Sequence, residues 1–346
     1  MIEIRAMKEN EAKEVKKLGK RTFEWFESLF IPNPKDCLVA VENNSIVGAV
    51  LYKYLTLTGK KIGYIDYIFV DKVSHGKGIG SKLVDVCLET MQKEACNGYS
   101  ALVRDDNVGS WKMFTNRGLQ RATLVDLISK FGVLDMFKLT FKTPMNIATG
   151  MDLYLKLEQK VFSVERKDSS LQIFKYLIFS ALLLLPTLIY DFGRGFQVIG
   201  AILSILGIRM IFGYMGTKLS NENWYFRVCE GGYIIPFVVS LLGGIFLISG
   251  NWYPKVYRKA PDFKRSLGLT ALAQWISLLF ISLLAVTQLG QIEFIKTMAK
   301  LAGIFMLISI VPFYPLASFG GVRIFNWNKG LYVVTVLFSL GTVFLY

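Results

Sequence analysis

A glycine-rich turn at residues 70–83 is the segment whose residue types and spacing indicate chemistry most directly. An apolar run ends at Val70, glycines follow at positions 76, 78 and 80, and an amphipathic pattern begins at Ser81. Glycine lets the backbone approach a ligand closely, and the amides that precede a helix carry the positive end of its dipole. Successive N–H groups would therefore converge on one anion, and we interpret the turn as a pyrophosphate cradle.

The spacing of the glycines excludes two other phosphate-binding turns. A dinucleotide-binding turn has the pattern Gly-x-Gly-x-x-Gly within a strand–helix–strand unit, with an acidic residue about 20 positions later, and neither feature is found here. A Walker loop ends in Gly-Lys-Ser/Thr, whereas Gly80 is followed by Ser81 and Lys82.

A second motif lies at residues 102–119 and reads Leu-Val-Arg-Asp-Asp-Asn-Val-Gly-Ser-Trp-Lys-Met-Phe-Thr-Asn-Arg-Gly-Leu. It resembles the GNAT acetyltransferase motif Val-Arg-x-x-Asn-x-x-Ala-x-x-x-Tyr-x-x-x-Gly-Phe. The glycine turn resembles the earlier GNAT motif, Arg/Gln-x-x-Gly-x-Gly/Ala, with His75, Gly78 and Gly80 at its fixed positions. The resemblance covers roughly residues 1–158 and implies an N-acetyltransferase fold that uses acetyl-CoA or another acyl-CoA.

The resemblance also implies which residues bind the cofactor. Asn107 falls where the family contacts the cofactor arm, and Phe114 falls where many members place a tyrosine that protonates the coenzyme thiolate. The predicted cofactor-binding residues are Ile68, Phe69, Val70, His75, Gly76, Lys77, Gly78, Ile79, Gly80, Ser81, Asn107 and Phe114.

Acetyl transfer to an amine requires a base, an oxyanion donor and an acid for the leaving thiolate. In the family fold, parting of the two central strands lets a backbone N–H near residues 68–70 polarise the thioester carbonyl. Asp66 aligns with a glutamate of many relatives and is our candidate base, the alternative being an ordinary polar residue on a strand. Because a phenyl ring at Phe114 donates no proton, either Tyr64, Tyr67 or water replaces the usual acid, or the domain transfers slowly or only binds. We name Asp66 and Tyr67 as the catalytic candidates.

The elements that position these residues form an α/β layer, a mixed and mostly antiparallel sheet with flanking helices. Asn43-Asn44 tolerates the positive φ of a tight hairpin turn. The predicted strands are 2–6, 37–42, 45–54, 61–70, 99–103 and 151–157, and the predicted helices are 9–26, 81–95 and 108–116.

Residues 128–148 do not fit the compact sheet. Phe137, Leu139 and Phe141 alternate with lysines in a pattern typical of an interfacial helix that dips into lipid headgroups. An ordinary core helix explains the same apolar residues, and both interpretations stay open.

The composition changes near Ser170 in this chain of 346 residues. Later apolar stretches of about 18 to 25 residues are long enough to cross a bilayer. We therefore predict a GNAT domain at 1–160, a linker at 161–170 and an all-α polytopic membrane domain at 171–346, with the GNAT domain on the cytosolic side of the cell membrane. Candidate spans are 171–190, 196–217, 232–250, 266–289, 294–313 and 328–346, of which one between 196 and 250 is suspected to be re-entrant.

The formal charge of +14 fits contact with anionic lipid and a positive-inside orientation, and we expect no nucleic-acid partner. The four cysteines show no Cys-x-x-Cys spacing and are expected to be reduced. The single histidine, His75, leaves no imidazole cluster for a metal.

Residues 309–329 weakly resemble the Asn-x-x-Pro-x-Pro-Pro-Leu-Asp-Gly stretch of site-2-type intramembrane metalloproteases. Ala317 stands where the family has its zinc-binding aspartate, Ser309 replaces the asparagine, and 213–217 lacks the His-Glu residues of the metal-binding helix. A zinc hydrolase needs three protein ligands and a base, so the resemblance implies no protease activity. The alternative is an unrelated helical bundle.

Arg209, inside an apolar run, is interpreted either as an anion or headgroup site or as a side chain that snorkels to the membrane edge.

Two functions follow. The first is a membrane-anchored N-acetyltransferase whose acceptor is an amine, small molecule or polypeptide, at the cytosolic membrane face. The alternative is an acyl-CoA-binding sensor that regulates a non-catalytic, pseudoprotease-like membrane domain. A membrane-protein client or a homo-oligomer is a possible further partner of either.

Overall fold

The computed structural model describes residues 2–23, 25–57, 59–104, 107–143, 151–157, 168–190, 192–220, 222–229, 233–255, 261–312 and 316–345. The chain divides into two compact units. The first unit comprises Met1–Asn146 and Asp152–Val164, and the second comprises Ile147–Met151 and Glu165–Tyr346. Residues 161–167 of the predicted linker lie outside the described residues.

The first unit contains a mixed seven-stranded sheet in the order β1-β2-β3-β4-β5-β7-β6. β1 to β4 are antiparallel neighbours, and β5 pairs parallel with β4. Asn43 and Asn44 take the positive φ expected of the β2–β3 turn. The strands are β1 Ile2–Ala6, β2 Asp36–Glu42, β3 Ser45–Leu57, β4 Lys60–Val70, β5 Gly98–Arg104, β6 Gln120–Arg121 and β7 Met151–Leu157.

Helices cover both faces of this sheet. Residues of α3 and α4 share one core with Ile65, whereas α1 and α5 contribute to cores that contain Leu51 and Tyr64 on the opposite face. Successive strand residues point to opposite faces, which separates these cores. The helices are α1 Ala12–Thr22, α2 Trp25–Ser28, α3 Ile79–Lys93, α4 Val108–Thr115 and α5 Leu124–Lys142.

The first unit differs from the prediction in several element bounds, among them the end of β3 at Leu57 rather than at residue 54, and in features that were not predicted. The first α-helix ends at Thr22 rather than at residue 26, because Phe23 is extended. The two-residue strand β6 was not predicted. The strand at 151–157 has the predicted bounds but lies between β5 and β6, where Asp152 and Arg121 form a buried ion pair of 3.2 Å.

Helix α5 coincides with the segment that had two interpretations. Its backbone breaks at Gly132, whose φ is 79°, and Leu127, Met136 and Leu139 are buried in a core shared with β3, β4 and β7. The core-helix interpretation therefore holds for one face of α5. Residues 144–148 of the predicted segment lie outside the described residues.

The second unit is mainly helical. Three stretches, Ser169–Ile189, Phe192–Thr217 and Asp262–Val286, are long and apolar enough to cross a membrane, judged by length and composition among the described residues. The elements are α6 Ser169–Leu184, α7 Thr187–Tyr190, α8 Phe192–Thr217, β8 Trp224–Val228, α9 Ile234–Leu241, β9 Gly250–Pro254, α10 Pro261–Leu283, α11 Glu293–Ser309, α12 Gly321–Trp327 and α13 Lys329–Gly341.

The prediction of an all-α second domain is wrong. β8 and β9 pair antiparallel, from Trp224↔Pro254 to Val228↔Gly250, and they are rich in the aromatic residues that strands favour. Among the described residues 233–250 of the predicted span 232–250, helix α9 has eight residues, so it rises about 12 Å and cannot cross a bilayer core of about 30 Å. Its later residues Leu247 and Ile248 are apolar because they are buried in the protein core.

Arg209 lies in α8 with only 4% of its surface exposed, so it does not snorkel out of the second unit. Its Nη2 donates to Gln274 Oε1 of α10 over 3.2 Å. The guanidinium thus joins two of the long apolar helices.

Candidate active site

The glycine turn connects β4 to α3 through a short 3-10 turn at Lys72–Ser74. The Asp71 carboxylate accepts a hydrogen bond from Val73 N–H and forms an ion pair with Arg21 of α1. The His75 ring lies 2.8 Å from the Val70 carbonyl through Nε2. These contacts fold the turn back onto the end of β4.

The first turn of α3 presents backbone amides with no intrahelical acceptor. The first intrahelical bond runs from Lys82 N–H to the Gly78 carbonyl over 3.1 Å, so the amides of residues 79–81 precede the hydrogen-bond ladder. No acidic residue lies in the first turn, and no side chain caps it. The helix dipole therefore favours an anion at this end.

The backbone conformation at positions 76 and 78 requires glycine. Their φ angles are 84° and 73°, in the left-handed region that disfavours L side chains. A Cβ built on either residue would meet no atom within 4 Å. The surface above the turn is therefore open to a ligand, and the protein itself imposes no clash there.

Arg117, directly after α4, is a site residue that the sequence analysis missed. Its Nη2 donates to Ser81 Oγ over 2.6 Å and to the Ser81 carbonyl over 3.0 Å, while Nε and Nη2 bind the Asp85 carboxylate. Because Ser81 Oγ accepts from Arg117, its own hydrogen remains available to donate. Arg117 thereby fixes the first turn of α3. In the sequence, only its position next to Gly118 in the second motif could have pointed to a role at the site.

β4 and β5 part at the level of the candidate site. They pair from Ile62↔Gly98 to Ile65↔Ala101, and in the described strands the register does not continue to residues 66–70 of β4. The backbone of Ile68, Phe69 and Val70 on this side therefore faces the opening between the strands. This is the location in which a backbone N–H was expected to polarise a carbonyl.

Asp66 is the extra residue of a β-bulge in β4. Leu51 pairs with Tyr67 and Tyr52 pairs with Ile65, which leaves Asp66 unmatched. Bulges re-aim side chains and are frequent beside active sites. The Asp66 carboxylate lies 3.3 Å from the ammonium of Lys53 on the neighbouring strand β3.

Tyr67 faces the α1 side of the sheet. Its hydroxyl donates to the Phe30 carbonyl over 3.1 Å, and its ring makes an edge contact with Phe23. Burial, and secondarily the charges of Asp66 and Glu27, raise the pKa of Tyr67 to about 12. The phenol is therefore fully protonated at neutral pH, with its hydrogen committed to the segment that follows α2.

The two residues of the second motif have different surroundings. The Asn107 side chain caps α4 by accepting from Ser110 N–H over 3.2 Å, so its amide hydrogens point away from that bond and it remains exposed. Phe114 is buried in the core beside α3 and β5.

Lys77 forms an ion pair with Glu42 of 2.8 Å, so its contribution to an anion site would come from its backbone amide.

The residues of the turn fit the diphosphate of a coenzyme. The fit rests on the open face above Gly76 and Gly78, the three amides of residues 79–81 ahead of the helix ladder, and the hydroxyl of Ser81. The turn and the parted strands are continuous through Val70. Among the described residues, no group of three or more His, Cys, Asp or Glu side chains could hold a metal ion.

The first unit is a mixed α/β domain in which an open glycine turn follows a central strand that parts from its parallel neighbour. Residues 3–119 match the model of the acetyltransferase (GNAT) family, so the chain contains a GNAT domain over that range. A search among curated proteins returned no match.

Three similar solved structures each cover just under half of this chain. The NatC complex bound to Gag peptide and CoA shows 19% identity and a TM-score of 0.32 over 44% of this chain and 96% of its own. Arabidopsis thaliana Naa50 with a bisubstrate analogue shows 16% identity and a TM-score of 0.31, over 45% of this chain and 97% of its own. A GNAT-family acetyltransferase of Staphylococcus aureus shows 18% identity and a TM-score of 0.34, over 45% and 99%.

Proposed function

We propose that the protein is a membrane-anchored, acyl-CoA-dependent N-acetyltransferase that acts on an amine at the cytosolic membrane face. The observation that carries the proposal is the continuity of the glycine turn with the parting of β4 and β5. An anion site and a cleft with unpaired backbone are the two features that binding and polarising a thioester require.

Each part of the site has a role in this proposal. When bound, acyl-CoA supplies an acyl group activated as a thioester. The amides of residues 76–81 and the Ser81 hydroxyl hold the diphosphate. The backbone of residues 68–70 donates a hydrogen bond to the acyl carbonyl, and Asn107 offers its amide hydrogens to the cofactor arm.

Asp66 is the proposed base and attracts the acceptor amine. Asp66 directly follows Ile65, the last residue of β4 that pairs with β5, and its carboxylate lies 3.3 Å from the Lys53 ammonium, while Glu27 is paired with Arg104 over 2.6 Å. In this proposal the approaching amine takes the place of Lys53, Asp66 takes the amine's proton directly or through water, and water protonates the leaving thiolate. The acceptor is a protein N-terminus, a lysine or a membrane-associated amine. The motif Val-Arg-x-x-Asn at residues 103–107 resembles that of the protein N-terminal acetyltransferases and favours the first of these.

The second unit supplies the membrane anchor in this proposal. Three stretches have the length and composition for spanning, and exposed apolar side chains such as Phe280 of α10 suit contact with lipid. The GNAT domain would then face the cytosol, where acyl-CoA is made.

Full-length protein in lipid vesicles, incubated with radiolabelled acetyl-CoA and a panel of N-terminal peptides, lysine peptides and amino-lipids, tests the proposal. Label transferred to one amine class, reduced in Gly78→Ala when acetyl-CoA is limiting and strongly reduced in Asp66→Asn, is the expected result. Absence of transfer to every amine, or a Gly78→Ala protein that matches the wild type, contradicts it.

A second function is favoured by the lack of an evident side chain that could protonate the leaving coenzyme thiolate. Phe114 donates no proton, and the hydroxyl of Tyr67 is committed to the Phe30 carbonyl. Both facts suit a domain that binds acyl-CoA as a sensor for the second unit. Tight CoA binding without turnover, unchanged in Asp66→Asn, would favour that function over catalysis.

A further inference from the structure

Helix α5 presents apolar side chains to solvent on the side away from its core. Beyond the break at Gly132, Met136 and Leu139 point into the first unit. Residues three and four apart share one side of a helix, so the outward stripe is continuous. It consists of Val133, Leu134, Phe137 and Phe141, which we call the α5 apolar face.

The exposure of this face is large. Leu134 is 78% exposed and Phe141 is 74% exposed. Single exposed apolar residues are common on soluble proteins, but a contiguous cluster marks a surface with a partner.

Lysines flank the α5 apolar face and decide which partner fits. The Lys138 ammonium lies 3.3 Å from the carboxylate of Asp135, and Lys142 donates to the Thr56 carbonyl over 3.0 Å. Their stems lie beside the apolar stripe, as in helices that lie at a membrane surface. A second copy of the same face would bring lysines against lysines, whereas anionic headgroups would complement them.

An anionic bilayer is also the surface that the proposed function brings to this chain, because its second unit is proposed to lie in one. The inference therefore rests on the proposed function. We propose that the α5 apolar face inserts into the headgroup region of an anionic phospholipid bilayer.

Nitroxide quenching in vesicles tests this contact in the full-length chain. Cys37, Cys87, Cys96 and Cys229 are buried, so a cysteine introduced at an exposed position is labelled selectively with an environment-sensitive fluorophore. Leu134→Cys and Phe141→Cys report on the face. Glu89→Cys, exposed on α3 on the opposite side of the sheet, is the matched control. Phe280→Cys on α10 reports separately on membrane anchoring. Variants whose thermal transition differs from that of the wild type are discarded.

Vesicles contain phosphatidylcholine with or without phosphatidylglycerol, plus nitroxide-labelled lipid. We expect quenching at positions 134 and 141 that is comparable with position 280, depends on phosphatidylglycerol and weakens at high salt, with position 89 unquenched. The proposal is overturned if the labels at positions 134 and 141 are as unquenched as the label at position 89. It is also overturned if the labels at 134 and 141 are as shielded from solvent in detergent as in vesicles, because that result would indicate a protein contact. If position 280 is quenched and 134 and 141 are not, anchoring stands while the contact fails. If none is quenched, both fail.

Discussion

Gly78→Ala separates the conformational role of the glycine turn from its binding role. Gly78 has a φ of 73°, and its added Cβ would meet no protein atom within 4 Å. An alanine held in the left-handed region costs about 1–2 kcal/mol. Because about 1 kcal/mol lowers the Tm of a domain of this size by about 2–4 °C, a modest loss of stability is expected.

The loss of CoA affinity should be larger than the loss of stability. The methyl group would occupy the open face where the diphosphate is proposed to bind, and losing one hydrogen bond to a charged group costs about 1.5–3 kcal/mol. This corresponds to a Kd that rises about 10- to 150-fold.

Gly59→Ala is the matched control for this change. Gly59 has a φ of 71°, equally open surroundings and a location in the β3–β4 hairpin, away from the turn. Calorimetry with CoA, together with thermal unfolding, should show similar Tm losses for both variants and weakened binding for Gly78→Ala alone. Equal CoA affinity in the two variants would refute the assignment of the cradle.

Three other predictions concern neighbouring interactions. A lysine at position 117 cannot reproduce the forked contacts of Arg117 to Ser81 and Asp85. In Arg117→Lys the Kd of CoA should therefore rise about tenfold, while the Kd of pantetheine, which lacks the diphosphate, stays constant. An equal loss of affinity for both ligands would assign Arg117 a purely structural role. The pKa of Tyr67 is raised to about 12, so its contribution to the free energy of unfolding is complete below pH 10 and falls between about pH 10 and 12. Tyr67→Phe should flatten this alkaline decline in the free energy of unfolding. The hydrogen bond from Arg5 lowers the pKa of Glu11 to about 2, so its contribution is complete above pH 4.5 and is lost as the pH falls towards 2. Glu11→Gln should therefore be less stable than the wild type at pH 6 and converge with it near pH 2, and a pH-independent difference would contradict the ion-pair account.

The fold of the first unit could be predicted where periodic patterns were long. β4 and α3 lie where the apolar run before the glycine turn and the amphipathic pattern after it placed them, with ends displaced by one or two residues. β6 has only two residues and no pattern of its own; it exists because it pairs with β7. The order β5-β7-β6 depends on long-range pairing, which a single sequence does not express.

The second unit shows where hydropathy misleads. Residues buried in a protein core and residues facing lipid are equally apolar, so 232–250 resembled a span although Leu247 and Ile248 are core residues. β8 and β9 pair across residues 229–249, too far apart for any hairpin signal.

The candidate site was partly predictable. The glycine turn is local, so its residues and their conformations could be expected from spacing alone. Arg117 acts across an α3–α4 contact, and the bulge at Asp66 arises from the pairing of β3 with β4, so neither was visible before the fold was known.

The most direct test of the account compares the Kd of CoA with that of pantetheine for the full-length protein by calorimetry. Diphosphate binding by the amides and hydroxyl of residues 76–81 predicts that CoA binds at least about tenfold more tightly, because the missing charge-assisted hydrogen bonds are worth about 1.5–3 kcal/mol each. Equal affinities, or no binding of CoA, would contradict the central claim.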